Sequence, residues 1–251
     1  MSVRPMMKRS YVLVLLITVL STGVIASDKL AVNTGVDLYS RYIWRGMDFG
    51  DAPSVQPVFS VSYAGFELGA WGAYALSGQE ERFSEVDFWL GYSREFENTI
   101  SIGAVLTDYY LPYLGIDISN FNDHDAVDAD GAADPGAHVL ELGLSFTGPK
   151  SFPMTVSGYV GVYNDAGNNT YFQIDYPFSI GETDLTVFCG AAGGSHENPD
   201  AYSTEEFALI NVGVSAERSV KMSESFSLPL SMAFILNPNE EISYLVAGVR
   251  F

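Results

Sequence analysis

The side chains most able to do chemistry sit on the polar face of segments that alternate polar and apolar residues: Asp37, Arg41, Arg45, Glu67, Glu85, Asp87, Glu141, Asp175, Asp184 and Arg250. Acidic members outnumber basic ones. If the segments close around a narrow, low-dielectric lumen, such a lining concentrates cations and repels anions, which is the chemistry of selective passage rather than of bond making. Trp71 and Trp89 fall on the same face, either as aromatic contacts at a constriction or as packing residues. The opposed expectation is an interior plugged by its own paired Arg and carboxylate side chains. Gly69, Gly91, Gly103, Gly143, Gly161, Gly190, Gly213 and Gly248 leave inward positions thinly filled and favour an open channel.

Two further groups are weaker. The loop from Asn120 to Pro135 carries Asp123, Asp125, Asp128, Asp130 and Asp134, and Asp128-Ala129-Asp130-Gly131 looks like half of a calcium loop. The bidentate Glu that should end such a loop is missing, so a solvated acidic loop is the competing expectation and no metal ligand is assigned. For hydrolysis by a Ser and His pair on an outer wall, only His124, His138 and His196 are available. His138 alone lies near a strand, and its same-face neighbour is Leu140 rather than a serine or an acidic orienter. No enzyme, catalytic residue or cofactor is therefore expected. Cys189 is the only cysteine, which excludes an intramolecular disulfide and leaves a small apolar side chain.

The elements that must position these residues begin after a leader. Arg4, Lys8 and Arg9 precede an apolar run from Tyr11 to Ile25, and Val24-Ile25-Ala26 provides small residues for signal cleavage, so residues 1–26 read as a secretory signal. The run is shorter than a spanning helix needs. The formal net charge is −19, and loss of those three basic residues takes it to −22. Nucleic acid and anionic headgroups would be repelled by such a chain.

From Leu30 onward the periodicity is that of strands. The first strand sets Val32, Thr34, Val36, Leu38, Tyr42 and Trp44 against Asn33, Asp37, Tyr39, Arg41 and Arg45, and Gly46 to Pro53 reads as a turn. Phe66, Leu68, Ala70, Gly72 and Tyr74 then oppose Glu67, Gly69 and Trp71, while Val86, Phe88, Leu90 and Tyr92 oppose Glu85, Asp87, Trp89, Gly91 and Ser93. Val55, Pro57, Phe59, Val61 and Tyr63 form the apolar face of a strand between the first and these two, and eight more strands follow, one of them spanning Glu206 to Ala216, so that the total of about twelve is even, as single-chain bacterial barrels require. Short connections such as Ala64-Gly65 and Ile180-Gly181 alternate with long ones at Leu111 to Ala137 and Gly193 to Ser203, matching the periplasmic and extracellular rims of an outer-membrane barrel. The last strand, Glu241 to Phe251, turns Ser243, Leu245, Ala247, Val249 and Phe251 to lipid and Tyr244 and Arg250 to the lumen. Its terminal Phe251 resembles the address read by the barrel-insertion machinery.

Ser40-Arg41-Tyr42-Ile43-Trp44-Arg45-Gly46, Pro53, Gly65-Phe66 and Gly69-Ala70-Trp71-Gly72 together resemble the TorF family of outer-membrane porins. The resemblance covers the first three strands well and the remainder as a strand pattern, with Arg41 standing where that family tends to have an acidic residue. It implies a barrel and a pore, and no catalytic residue. The expectation is an all-β, antiparallel, up-and-down transmembrane barrel over residues 27–251. Its place is the cell outer membrane, its partners are membrane lipid, the insertion machinery and small solutes, and nucleic acid is not among them. As a pore it would prefer cations or neutral polar solutes; the alternative is a closed structural or scaffolding barrel.

Overall fold

The computed structural model describes residues 29–77, 83–193, 202, 204 and 206–251. The secretory signal, Arg82 and His196 lie outside them. Among the described residues fourteen strands are formed: β1 (Ala31–Tyr39), β2 (Tyr42–Trp44), β3 (Met47–Phe49), β4 (Ser54–Tyr63), β5 (Phe66–Ala75), β6 (Ser84–Glu95), β7 (Ser101–Tyr110), β8 (His138–Thr147), β9 (Thr155–Tyr163), β10 (Thr170–Ile180), β11 (Thr183–Gly193), β12 (Ala208–Lys221), β13 (Ser227–Asn237) and β14 (Ile242–Arg250). All except β2 and β3 belong to one closed antiparallel barrel in which each strand pairs with its sequence neighbour. The barrel therefore has twelve strands, the number expected. Closure joins β1 to β14 through Asp37↔Arg250, Leu38↔Val249 and Tyr39↔Gly248. The Phe251 main chain extends this seam, donating to the Val36 carbonyl at 2.9 Å and accepting from the Val36 N–H at 3.1 Å.

Period-two alternation sorts the side chains as the sequence requires. Leu68 is 63 % exposed and Leu245 67 %, whereas Asp37, Gln56, Ser60, Thr107 and Ser157 are buried inside. The outward face is apolar and exposed at Phe66, Leu68 and Tyr74 on β5 and at Phe88, Leu90 and Tyr92 on β6. Among the described residues no helix is long and apolar enough to cross a membrane.

The first correction concerns Ser40 to Pro53. Tyr42 and Trp44 do not continue β1 along the wall. The chain leaves the sheet at Ser40, whose N–H donates to the Ala247 carbonyl at 2.8 Å, and β2 and β3 form a separate two-stranded hairpin. Arg45 and Gly46 make its two-residue turn, with φ of 49° and 82°. Positive φ at both positions is the primed geometry that matches strand twist. The hairpin folds into the barrel, where Tyr42, Ile43 and Arg45 are buried.

Gly46 is required twice over. Besides its φ, a Cβ there would collide with the Ile210 carbonyl oxygen on β12. The β11/β12 register shifts at Gly190/Ala191, which leaves Ile210 as an extra residue, buried together with Asn211. A bulge thus forms the wall against which the hairpin tip rests, and Asn237 Nδ2 on β13 holds the Gly46 carbonyl at 3.2 Å.

The second correction concerns the inward glycines. Gly69 lies beneath the Trp89 ring, Gly143 beneath Tyr159, Gly213 beneath Phe188 and Gly248 beneath Tyr39, and each pair is in direct cross-strand register. These positions are small because an aromatic ring occupies the space a Cβ would take. They are not open lumen.

The connection 111–137 takes the opposite course to the hairpin. It begins with a 3-10 turn over Pro112–Leu114 and carries an isolated bridge between Val127 and Ala133. His138 and Asp108, on the outward-facing registers of β8 and β7, hold it to the barrel wall.

Candidate functional site

The lumen at the long-loop end is built around Arg45. Its guanidinium binds Glu141 on β8 bidentately, Nη1 to Oε2 at 2.6 Å and Nη2 to Oε1 at 2.8 Å, and Nη1 also donates to the Tyr202 hydroxyl. Tyr109 on β7 donates to Glu141 Oε1 at 2.9 Å. The Trp44, Tyr159 and Tyr171 rings each lie with their centroids 4.4 Å from the guanidinium carbon. A planar, weakly hydrated cation suits such a ring-lined site better than an ammonium would. The register shift at Leu140/Glu141, which makes Val162 an extra residue on β9, helps aim Glu141 inward.

Around this pair the hairpin is packed on both faces. Tyr42 meets Trp71 at 5.3 Å and Phe83 at 5.8 Å between ring centroids, while Ile43 joins Phe188, Ala233, Ile235 and Val246. The inward face of the barrel, expected to be mainly polar with Trp71 and Trp89 among its residues, is thus apolar and aromatic wherever the hairpin seats.

The remaining expected lining residues divide by position. Asp37 faces Arg250 Nε at 3.4 Å across the closure seam. Arg41 lies at the base of the hairpin, where it pairs with Asp48 and Asp51 instead of lining a wall. Arg45 is inside but on the hairpin, not on a barrel strand. Glu67 accepts from Trp89 Nε1 at 2.8 Å, and Asp175 accepts from Gln173 Nε2 at 2.8 Å. Asp184 is exposed near the short-turn rim, accepting from the Ser179 hydroxyl at 2.6 Å. Glu85 and Asp87 are buried beside Tyr42. Trp71 and Trp89 are buried packing residues, one against the hairpin and one over Gly69.

Several interior residues carried no sequence expectation. Glu217 lines a small cavity with Asp37, Tyr39 and Arg250. The strand read over Glu206 to Ala216 stops one residue short of it, although the face of Gly213 and Ser215 continues to Glu217. Asn211, whose Nδ2 donates to the Tyr171 hydroxyl at 2.9 Å and Gln173 Oε1 at 3.1 Å, was hidden by the bulge. Tyr202 comes from a loop, where period-two alternation gives no guide.

The acidic loop uses its carboxylates internally. Asp128 Oδ1 accepts from the N–H groups of Asp130 and Ala132, both at 2.9 Å, and Asp134 Oδ2 accepts from Asn122 Nδ2 at 3.0 Å. The His124 backbone N–H and ring hold the Asp123 carboxyl below its ordinary value. Among the described residues no group of three or more His, Cys, Asp or Glu side chains is arranged to hold a metal ion.

His138 has an acidic partner that the sequence did not reveal. Its Nδ1 lies 2.9 Å from both oxygens of Asp108, a cross-strand neighbour rather than a same-strand one. Its Nε2 contacts the Ile118 carbonyl at 2.7 Å, and its ring stacks on Phe121 at 4.0 Å. Both ring nitrogens are engaged by acceptors, so the group clasps the loop to the wall.

A family model described as a bacterial protein of unknown function, Gcw_chp, matches residues 25–234. No curated protein matches the chain, and no solved structure does. The family description contains no mention of a porin.

Proposed function

We propose that this chain, which belongs to the Gcw_chp family of bacterial proteins, is an outer-membrane barrel held closed by its own β2–β3 hairpin and conducting small cations or neutral polar solutes when the hairpin leaves the lumen. The apolar outer face supports the location. Polar-in, apolar-out alternation satisfies both lipid and backbone in a closed sheet. The observation that carries cation preference is the balance of charge inside. Among the described residues Arg45 and Arg250 are matched by Glu141 and Asp37, which leaves Glu67, Glu85, Asp87, Asp175 and Glu217 in excess inside and Asp184 exposed at the rim. Passage would run from the acidic short-turn half, where Glu67, Asp175 and Glu217 lie, into the long-loop half that the hairpin fills and that Glu85 and Asp87 line.

The second reading is a closed structural or scaffolding barrel, favoured by how firmly Arg45 is held. Planar-bilayer recording separates the two. Wild-type protein should give rare, brief steps, and replacement of residues 41–51 by a short Gly-Ser linker should give long-lived, cation-preferring ones. A linker variant that folds but stays silent, or prefers anions, defeats the pore and leaves the structural barrel.

The reading includes no enzyme, because His138 has no nucleophile beside it and its Nε2 is engaged. It takes lipid and the insertion machinery as partners, the latter through Phe251. That residue is 64 % exposed and also completes the β1/β14 seam, so its deletion should lower assembled barrel in outer-membrane fractions, assayed by heat-modifiable migration. Normal assembly would remove that partner.

A further inference from the structure

Glu85 and Asp87 occupy successive inward positions of β6, so their carboxyl groups stand side by side on one face. Asp87 is 2 % exposed, and neither of its carboxylate oxygens has a hydrogen-bond partner. Its cross-strand neighbours are Trp71 on β5 and Tyr109 on β7, and neither carries positive charge. Glu141 adds further repulsion, while Arg45, the guanidinium that the described residues place at that end of the lumen, is committed to Glu141. A separate element completes the group. Tyr42 of the hairpin is 3 % exposed, its hydroxyl reaches the Glu85 carboxyl group and lies within electrostatic reach of Asp87, and it makes no well-aligned hydrogen bond.

We infer that Glu85, Asp87 and the Tyr42 hydroxyl form a binding site for a hard divalent cation of the calcium type. Two adjacent carboxylates withdrawn from water repel each other and lose their hydration, so the site is favourable only when positive charge enters it. A single proton neutralises one of the two groups and leaves the other buried as an anion. A divalent ion matches both charges. The donors are oxygen only, with no nitrogen or sulfur, which selects calcium or magnesium over zinc or copper. Two carboxylates and a phenol occupy part of a six- to eight-oxygen sphere, and water supplies the rest. Because one ligand comes from the hairpin and two from the wall, the bound ion fastens the plug to β6. The site stands independently of whether the barrel conducts.

Terbium luminescence tests the site, since Tb3+ replaces calcium at oxygen sites and Trp71, paired with Asp87, can sensitise it. Purified full-length barrel in detergent should show saturable emission on tryptophan excitation that calcium displaces. Asp87→Asn and Glu85→Gln should each weaken terbium binding at least about tenfold. Trp71→Phe should dim the emission without changing the affinity, and Asp128→Asn in the outer loop should change neither. Equal affinity in Asp87→Asn, or emission that calcium does not displace, overturns the site. A melting temperature, read by heat-modifiable migration, provides the second measurement and uses the wild-type protein, so it holds even where a variant fails to fold. Calcium should raise it. A midpoint raised by acidification but indifferent to calcium would assign the pair a shared proton and overturn the ion.

Discussion

The barrel folds two of its connections back onto itself, 40–53 into the lumen and 111–137 onto the outer wall, and they are fastened by different physics. The inner one is short and depends on a charge pair. Arg45 and Glu141 are both buried, and the pair is enclosed by aromatic rings. The outer one depends on many modest polar contacts: Asn164 Nδ2 to the carbonyls of Gly136 and His138, both at 2.9 Å, His138 to Ile118 and Asp108, and Tyr163 to Phe121. Inside, little water can replace a lost partner, so one residue decides the outcome. On the outer wall each fastening is partly replaceable, so loss should be graded.

The largest effect should follow Arg45→Ala. It leaves Glu141 buried without its cation, a change of about 3–5 kcal/mol, and it removes the centre of the ring cluster. Urea unfolding of the refolded barrel should read the loss, and bilayer recording should show the hairpin released as longer openings. Arg45→Met with Glu141→Leu removes both charges and should recover most of the stability, because an apolar pair of similar volume incurs no desolvation penalty. If the single and double variants were equally unstable, the charge pair would not be what distinguishes the inner connection from the outer.

Next comes Gly46→Val. The substitution puts a β-branched side chain at positive φ, costing about 1–2 kcal/mol from backbone conformation alone, and drives it into the Ile210 carbonyl. The hairpin tip should lift off β12, and the Trp44 fluorescence should shift to the red as the ring meets water. An unchanged spectrum would mean that the bulge at Ile210 does not define the hairpin's seat.

What the sequence could and could not convey follows the same division. Strand faces were legible because alternation has a single period: the outward Phe66, Leu68 and Tyr74 and the inward Glu67 and Trp71 all lie where parity put them. Parity also failed, and for an identifiable reason. Tyr42 and Trp44 keep the phase of β1, so the departure of the chain at Ser40 leaves no mark in the alternation. The marks were in the Arg45-Gly46 turn and in the pairing of an inward cation with an inward carboxylate almost a hundred residues away. Inward glycines looked like free space because a single strand does not reveal which ring its neighbour lays over it. Asp108 was missed as the partner of His138 for the same cross-strand reason.

A smaller effect is expected from His138→Ala. Asp108 would lose one partner at the wall and Ile118 its ring contact, about 1–3 kcal/mol for buried polar groups left unpaired. The loss should remain local. Limited proteolysis should cut within 111–137 faster, with the melting midpoint of the barrel nearly unchanged; a global fall would make the outer connection as decisive as the inner.

The smallest effect belongs to Asp123, which is half-exposed and ties the outer connection to Asn164 by accepting from its backbone N–H at 2.9 Å. Its carboxyl is held below its ordinary value of 3.8, chiefly by the His124 backbone N–H. A group with a depressed folded value stabilises the folded state above its unfolded value, and that stabilisation is lost as the pH falls through the folded one. The window therefore lies below about pH 4. Hydrogen exchange at Asn164 should quicken on entering it, and Asp123→Asn should bring the faster exchange to neutral pH without altering exchange at Gly46. Equal acceleration at both sites would show that the two connections open together, and the contrast between a single-bond plug and a graded clasp would fail.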